Sequence, residues 1–212
     1  MATTLHLDTT VLLGLISDIT HGAATTTTAA DLHPALQRQI REEAAAPMMA
    51  TLLLPLLRGK TLVTCEAARD SFARIVEWRA SATEATRAGE LFSEGLHGLG
   101  AVRVVRDYAL RETDPEAWWA VARRLAGDPL SRAVFMTAWE CGATTVTCNK
   151  AVVKRIGTVV ARAGAGPEVV VVECARSLLG PPKAQSSSLD RSGQMDGSAP
   201  SNNGGNSATP VT

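Results

Sequence analysis

A chain of 212 residues holds one domain, or one domain and a tail. Hydrophobic residues make up 45% and aromatics only 4%, so the chain can build a core, and that core is aliphatic. Lysine and arginine number 21, as do aspartate and glutamate, for a formal net charge of zero. This excludes nucleic-acid binding driven by the overall field and requires a local basic patch for any such affinity. No signal peptide is expected, because the first residues read as a polar-flanked strand with no basic n-region. The longest apolar stretch, Met48 to Leu57, is interrupted by Pro55 and is too short to span a bilayer. A soluble, intracellular protein with no membrane association is expected. Its four cysteines, Cys65, Cys141, Cys148 and Cys174, lack CxxC spacing and read as free thiols in a reducing compartment.

The first predicted element is a short strand, Leu5 to Asp8, followed at once by the apolar helical run Val11 to Ile16. It places the carboxylate of Asp8 at a strand end, where open α/β sheets bind their ligands. Pro34 suits the first turn of a second helix that continues through Leu36 and Ile40. Pro47 and Pro55 break the following region into shorter pieces. A second strand, Thr61 to Thr64, leads through Cys65 to Glu66 and an amphipathic helix, Ala67 to Trp78, with Ala68, Phe72, Ile75 and Val76 on one face.

Val102 to Val105 is the third strand. Asp114-Pro115 and Asp128-Pro129 each signal a helix start; the second of these helices ends at Gly142. The fourth strand, Thr144 to Thr147, runs into Cys148-Asn149. A last helix, Val152 to Ala163, is closed by Gly164 and Gly166, and a fifth strand spans Val169 to Val172. These strands are apolar and β-branched, as expected for strands buried on both faces. Their alternation with helices implies a parallel sheet with helices on both sides. The domain is expected to occupy residues 1–180. Residues 181–212, rich in Ser, Gly, Asn and Pro, read as a disordered tail.

In such a sheet Asp8, Glu66 and Asn149 project from one edge, and Asp128 joins them if its helix starts there. A few hard oxygen ligands suit Mg²⁺ or Mn²⁺, which can activate water for attack on a phosphodiester. Each acid also has a purely structural explanation: Asp128 as a helix cap, Glu66 as a first-turn acid. Lys150, Lys154 and Arg155 follow Asn149 and could contact a phosphate backbone, as could Arg123, Arg124 and Arg132; a solvated helix face is the simpler explanation of them. His21 reads as a satisfied loop histidine, and of the adjacent Trp118 and Trp119 one should be core. Cys65, Cys148 and Cys174 fall near strand ends and are expected to be small buried thiols rather than zinc ligands.

The segment Leu5-His6-Leu7-Asp8-Thr9-Thr10-Val11-Leu12-Leu13 resembles the opening of PIN-like domains. Thr61 to Glu66 looks like their second strand with its acid, and Asp128 through Asn149 like their third acid, helix and fourth strand. The run Ser17-Asp18-Ile19-Thr20-His21-Gly22 is similar to that of an uncharacterised eukaryotic branch of the superfamily. The similarity spans roughly residues 3 to 178 and implies a three-layer α/β sandwich with a five-stranded parallel sheet in the order 3-2-1-4-5. It also implies metal-dependent cleavage of RNA in intact members, with Asp8, Glu66 and Asp128 as catalytic and metal-binding residues. The fourth position departs from the pattern: Thr147-Cys148-Asn149 stands where Thr-x-Asp is expected. Asn149 brings a carbonyl oxygen but no charge. Two functions follow as expectations: a divalent-metal-dependent ribonuclease with a partly degraded site, or an inactive module that binds RNA or a protein partner.

Overall fold

The structure is a computed structural model that describes residues 3–23, 32–173 and 176–180. Cys174 and the expected tail lie outside the described residues. Five strands form one all-parallel sheet: β1 (Thr4–Leu7), β2 (Thr61–Cys65), β3 (Arg103–Val105), β4 (Thr144–Thr147) and β5 (Val169–Val171), in the order β3-β2-β1-β4-β5. Helices α1 (Thr9–Ile16), α2 (Pro34–Ala45), α3 (Leu54–Leu57), α4 (Glu66–Arg79), α5 (Ala82–Ser93), α6 (Glu116–Arg124), α7 (Pro129–Glu140) and α8 (Lys150–Ala163) connect the strands and cover both faces. Between α2 and α3 a π-helical turn spans Met49–Leu53. α3 continues directly from this π-helical turn, so Pro55 lies within one helical run over 48–57 and does not break it as expected; the irregular π-turn stands where its missing N–H interrupts the regular hydrogen bonding. No helix among the described residues is long and apolar enough to cross a membrane.

Alternation along β1 divides the core. Leu5 and Leu7 face one layer with Leu12, Leu53, Phe72 and Leu91. His6 and Asp8 face the other, where Cys65 packs with Val134, Phe135 and Met136 of α7. Strands β1, β2 and β4 are almost wholly buried, as their composition predicts. The outer strands are not: Arg103 and Val104 of β3 are exposed, as is Val171 of β5, because each pairs on one side only.

Helix α5 escapes an apolar-periodicity reading. Its interior is rich in Ala, Thr and charged residues, yet Ser81 and Glu84 form a reciprocal capping box. That Ser-x-x-Glu spacing is the sequence signal that marks it. Glu84 is fully buried. Its carboxylate accepts the backbone N–H groups of Asp18 (2.9 Å), Ser81 (2.9 Å) and Leu179 (3.1 Å), tying the end of α1, the start of α5 and the segment 176–180 together. Arg87 extends the junction by donating to the Ile16 carbonyl (2.9 Å) and to Asp18 (2.8 Å).

Asp114 differs from its expected role. Pro115, not Asp114, is the N-cap of α6. The Asp114 carboxylate instead accepts the Tyr108 hydroxyl (2.6 Å) and the Arg111 N–H (2.7 Å), closing the loop after β3.

Candidate functional site

Asp8 follows the last residue of β1 and is the N-cap of α1, but its side chain caps nothing. Its Oδ2 accepts the hydroxyls of Thr147 (2.5 Å) at the end of β4 and Thr10 (3.2 Å) in α1. Asp8 is buried. Burial pushes its carboxyl above the usual carboxylate range; the Thr147 and Thr10 hydroxyls and the Thr9 N–H oppose this, and the charge of Asp128 adds to it. Asp8 and Asp128 are thus close enough to sense one another. Removing the Thr147 hydroxyl should raise the Asp8 pKa further. It also leaves the Asn149 N–H without its 3.0 Å acceptor. Thr147→Val is therefore expected to cost about 1.5–3 kcal/mol, the range for a hydrogen bond to a charged group. An NMR titration of the Asp8 carboxyl checks the direction, and an Asp8 pKa that stays put or falls would contradict it.

Glu66 opens α4 on the neighbouring strand's end. His6 pairs with Val63, so Asp8 continues the register opposite Cys65, one residue before Glu66. With adjacent strands about 4.8 Å apart, the two backbones are neighbours. The Glu66 side chain is turned toward β3, where its Oε2 accepts the Asp107 N–H at 3.3 Å. Asp107 returns the contact, its Oδ1 accepting the Ala67 N–H at 3.0 Å. Asp107 is a fourth acid of this edge that sequence reasoning missed. Its position two residues past β3 is the available signal, obscured by the short, half-exposed strand before it. Burial pushes the neighbouring Cys65 thiol up to about 12, and Asp107 adds to that shift, so Cys65 is an inert core thiol. Cys148 is half-buried rather than fully buried, and Cys141, at the end of α7, is exposed.

Asp128 and Asn149 both act as helix caps. Asp128 Oδ1 accepts the Ser131 N–H (3.1 Å), and its Oδ2 lies 3.5 Å from the Arg155 guanidinium. Asn149 Oδ1 accepts the Val152 N–H at 3.2 Å. Of the basic residues expected to meet phosphate, Lys150 pairs with Glu173, Arg123 pairs with Glu116, and Arg155 faces Asp128; Lys154 is exposed. His21 lies away from this edge: its ring nitrogen meets the Leu15 carbonyl at 2.8 Å, and the ring packs at a tilt against His97.

These side chains do not fit a divalent ion as they stand. Among the described residues no three His, Cys, Asp or Glu side chains are grouped so that they could hold a metal. The oxygens that would be ligands are engaged: Asp128 by Ser131 and Arg155, Asn149 by Val152, Glu66 by Asp107.

Beside the acids, α4, the loop after β3, α6 and α7 enclose a groove of about 1290 Å³. Arg74, Asp107, Leu110, Trp119, Arg132 and Met136 are among its lining. Trp118, next to Trp119, points elsewhere and stacks on Trp139 at 4.5 Å between ring centroids. The tryptophan pair is therefore split between an internal aromatic stack and the groove.

No curated protein matches the sequence. A family does, and its match takes in all five strands but for Thr4, with every acid of this edge: over residues 5–175 the chain belongs to the family described as protein of unknown function (DUF1308).

Proposed function

We propose that this chain is a PIN-like domain that binds single-stranded RNA in the groove between α4 and α7, with cleavage weak or lost. The strand order and the placement of Asp8, Glu66 and Asp128 at the C-terminal edge of the sheet are what the resemblance to PIN-like domains implies. The observation that carries the RNA reading is the lining of the groove. Arg74 and Arg132 are exposed in it beside Trp119, and it reaches the acidic edge at Asp107. Guanidinium groups for phosphates and an aromatic face for a base are the pair that a single strand requires. They supply locally what a net charge of zero denies globally. The engaged ligand oxygens argue for retention of strand without efficient cleavage.

Fluorescence anisotropy of a labelled oligouridine, at low salt and with a chelator, tests this. Arg132→Glu and Trp119→Ala should each weaken binding by roughly tenfold, in keeping with about 1–3 kcal/mol per stacked base. Arg74→Glu should do the same without touching the aromatic packing. Wild type and all three variants binding equally would remove the groove from the function. Repeating the assay with Mn²⁺ and resolving the products by size separates a binder from a nuclease: the expected result is intact oligonucleotide.

A further inference from the structure

We infer that Arg155 is the resident cation of the acidic edge, its guanidinium occupying the electrostatic role that a divalent ion would take beside Asp128. The proposal is independent of what the groove binds. It begins from the disagreement between the acids and a metal: the residues share an edge, yet among the described residues they form no group that could hold one.

The charges explain why. A site built for a dication needs several negative charges whose repulsion only the ion relieves. Here the charge of Asp128 is already met by a guanidinium. Arg155 stands 3.5 Å from Asp128, with the two side chains about one-third exposed, so the pair is partly shielded from water and salt. Position 149 is Asn, which contributes no charge, and its oxygen is spent on the first turn of α8. Asp8 is buried, and its Oδ2 is already engaged by the hydroxyls of Thr147 and Thr10. The carboxylate of Asp128 and the guanidinium of Arg155 therefore balance each other without any ion.

Arg155 is also held in place. Its backbone carbonyl accepts the Arg124 Nε–H at 3.1 Å, locking this turn of α8 to the end of α6. The helix that carries the neutral Asn149 at its start thus carries the substitute cation less than two turns later. A guanidinium is permanently charged and cannot withdraw by losing a proton. An approaching dication meets its repulsion at every accessible pH. A unit charge about 5 Å away changes the affinity of a divalent ion by roughly tenfold, even at the dielectric of water.

The test is Mn²⁺ binding by the full chain, read as loss of the free-ion EPR signal and, separately, as the shift in melting temperature. Wild type should bind Mn²⁺ weakly and melt unchanged at millimolar ion. Arg155→Gln should bind at least about tenfold more tightly and gain thermal stability from the ion. Arg155→Lys, which keeps the charge, should behave like wild type. Arg155→Gln combined with Asp128→Asn should return to the wild-type affinity, placing the new ion at Asp128. Circular dichroism of each variant without metal confirms the fold. Arg155→Gln binding no more Mn²⁺ than wild type overturns the proposal. So does tight binding by wild type itself, or a gain in Arg155→Gln that survives loss of the Asp128 charge. None of these readouts depends on RNA, so failure here and failure of the groove reading are distinguishable.

Discussion

Replacing Glu84 with alanine should destabilise the fold by about 3–5 kcal/mol, the largest effect expected of any single change away from the apolar core. Glu84 is fully buried, and its two oxygens take up the N–H groups of Asp18, Ser81 and Leu179. Truncation leaves the Asp18 N–H without a partner in a buried setting and removes half of the capping box of α5. It also frees the segment 176–180 from its anchor, although Ser17 still holds the Ser177 carbonyl at 2.7 Å. The adjacent Asp18 carboxyl should register the change. Burial pushes it up, but hydrogen bonds from Ser81, Arg87 and Thr83 hold it below the usual carboxylate range. Urea denaturation is the check, with the exposed Glu90→Ala on the same helix as reference. Equal midpoints for the two variants would show that the junction contributes nothing. Glu84→Gln, which keeps one acceptor oxygen, should fall between them.

Acidification should destabilise the protein by about 2 kcal/mol between about pH 7 and pH 5, and by about 3 kcal/mol once the pH is below 4, through His6. His6 lies in the central strand, fully buried, with no hydrogen-bond partner on either ring nitrogen. Burial lowers its pKa from the ordinary 6.5 to about 4, against the partial opposition of the Asp107 carboxylate. Below pH 6.5 the unfolded chain takes a proton that the folded chain refuses. Stability is therefore complete above 6.5 and falls as the pH drops toward 4. Asp8 acts in the opposite sense: its raised pKa means that its protonation on acidification favours the folded form. His21 is also lowered, mainly by burial, and adds to the acid sensitivity.

The assignment to His6 rests on a substitution. His6→Leu should flatten most of the pH dependence. It should also raise stability at neutral pH by about 1–3 kcal/mol, because it removes two buried polar atoms that have no partners. A pH profile unchanged in His6→Leu would place the acid sensitivity elsewhere. The cross-strand neighbour Thr145, whose hydroxyl is likewise unpartnered, should tolerate Val for the same reason.

Much of this architecture is legible in the residues alone. The apolar run at Leu5–Leu7 and the β-branched runs at Thr61–Thr64 and Thr144–Thr147 are separated by helical patterns, and right-handed crossovers between parallel strands leave few ways to connect them. Asp8, Glu66, Asp128 and Asn149 were locatable because strand ends and helix starts carry local signals: an apolar run that stops, a proline after an acid, a glycine after a helix. Helix α5 was not found by apolar periodicity, because its face toward the core is carried by Glu84, Ala88 and Leu91, one of them charged. What each acid does was beyond local pattern. Whether Glu66 faces Asp8 or Asp107, whether Arg155 meets solvent, phosphate or Asp128, and whether Trp118 or Trp119 lines a groove depend on side-chain partners distant in the chain. Arg155 and Asp128 are 27 positions apart and meet only because α7 and α8 flank the same strand, β4. By itself the sequence determined the layers, the strand edge and the list of acids, since these follow from periodicity and chain connectivity. Tertiary structure alone decided that Asp128 is already paired with Arg155, because electrostatic pairing acts through distances that only the packed helices set.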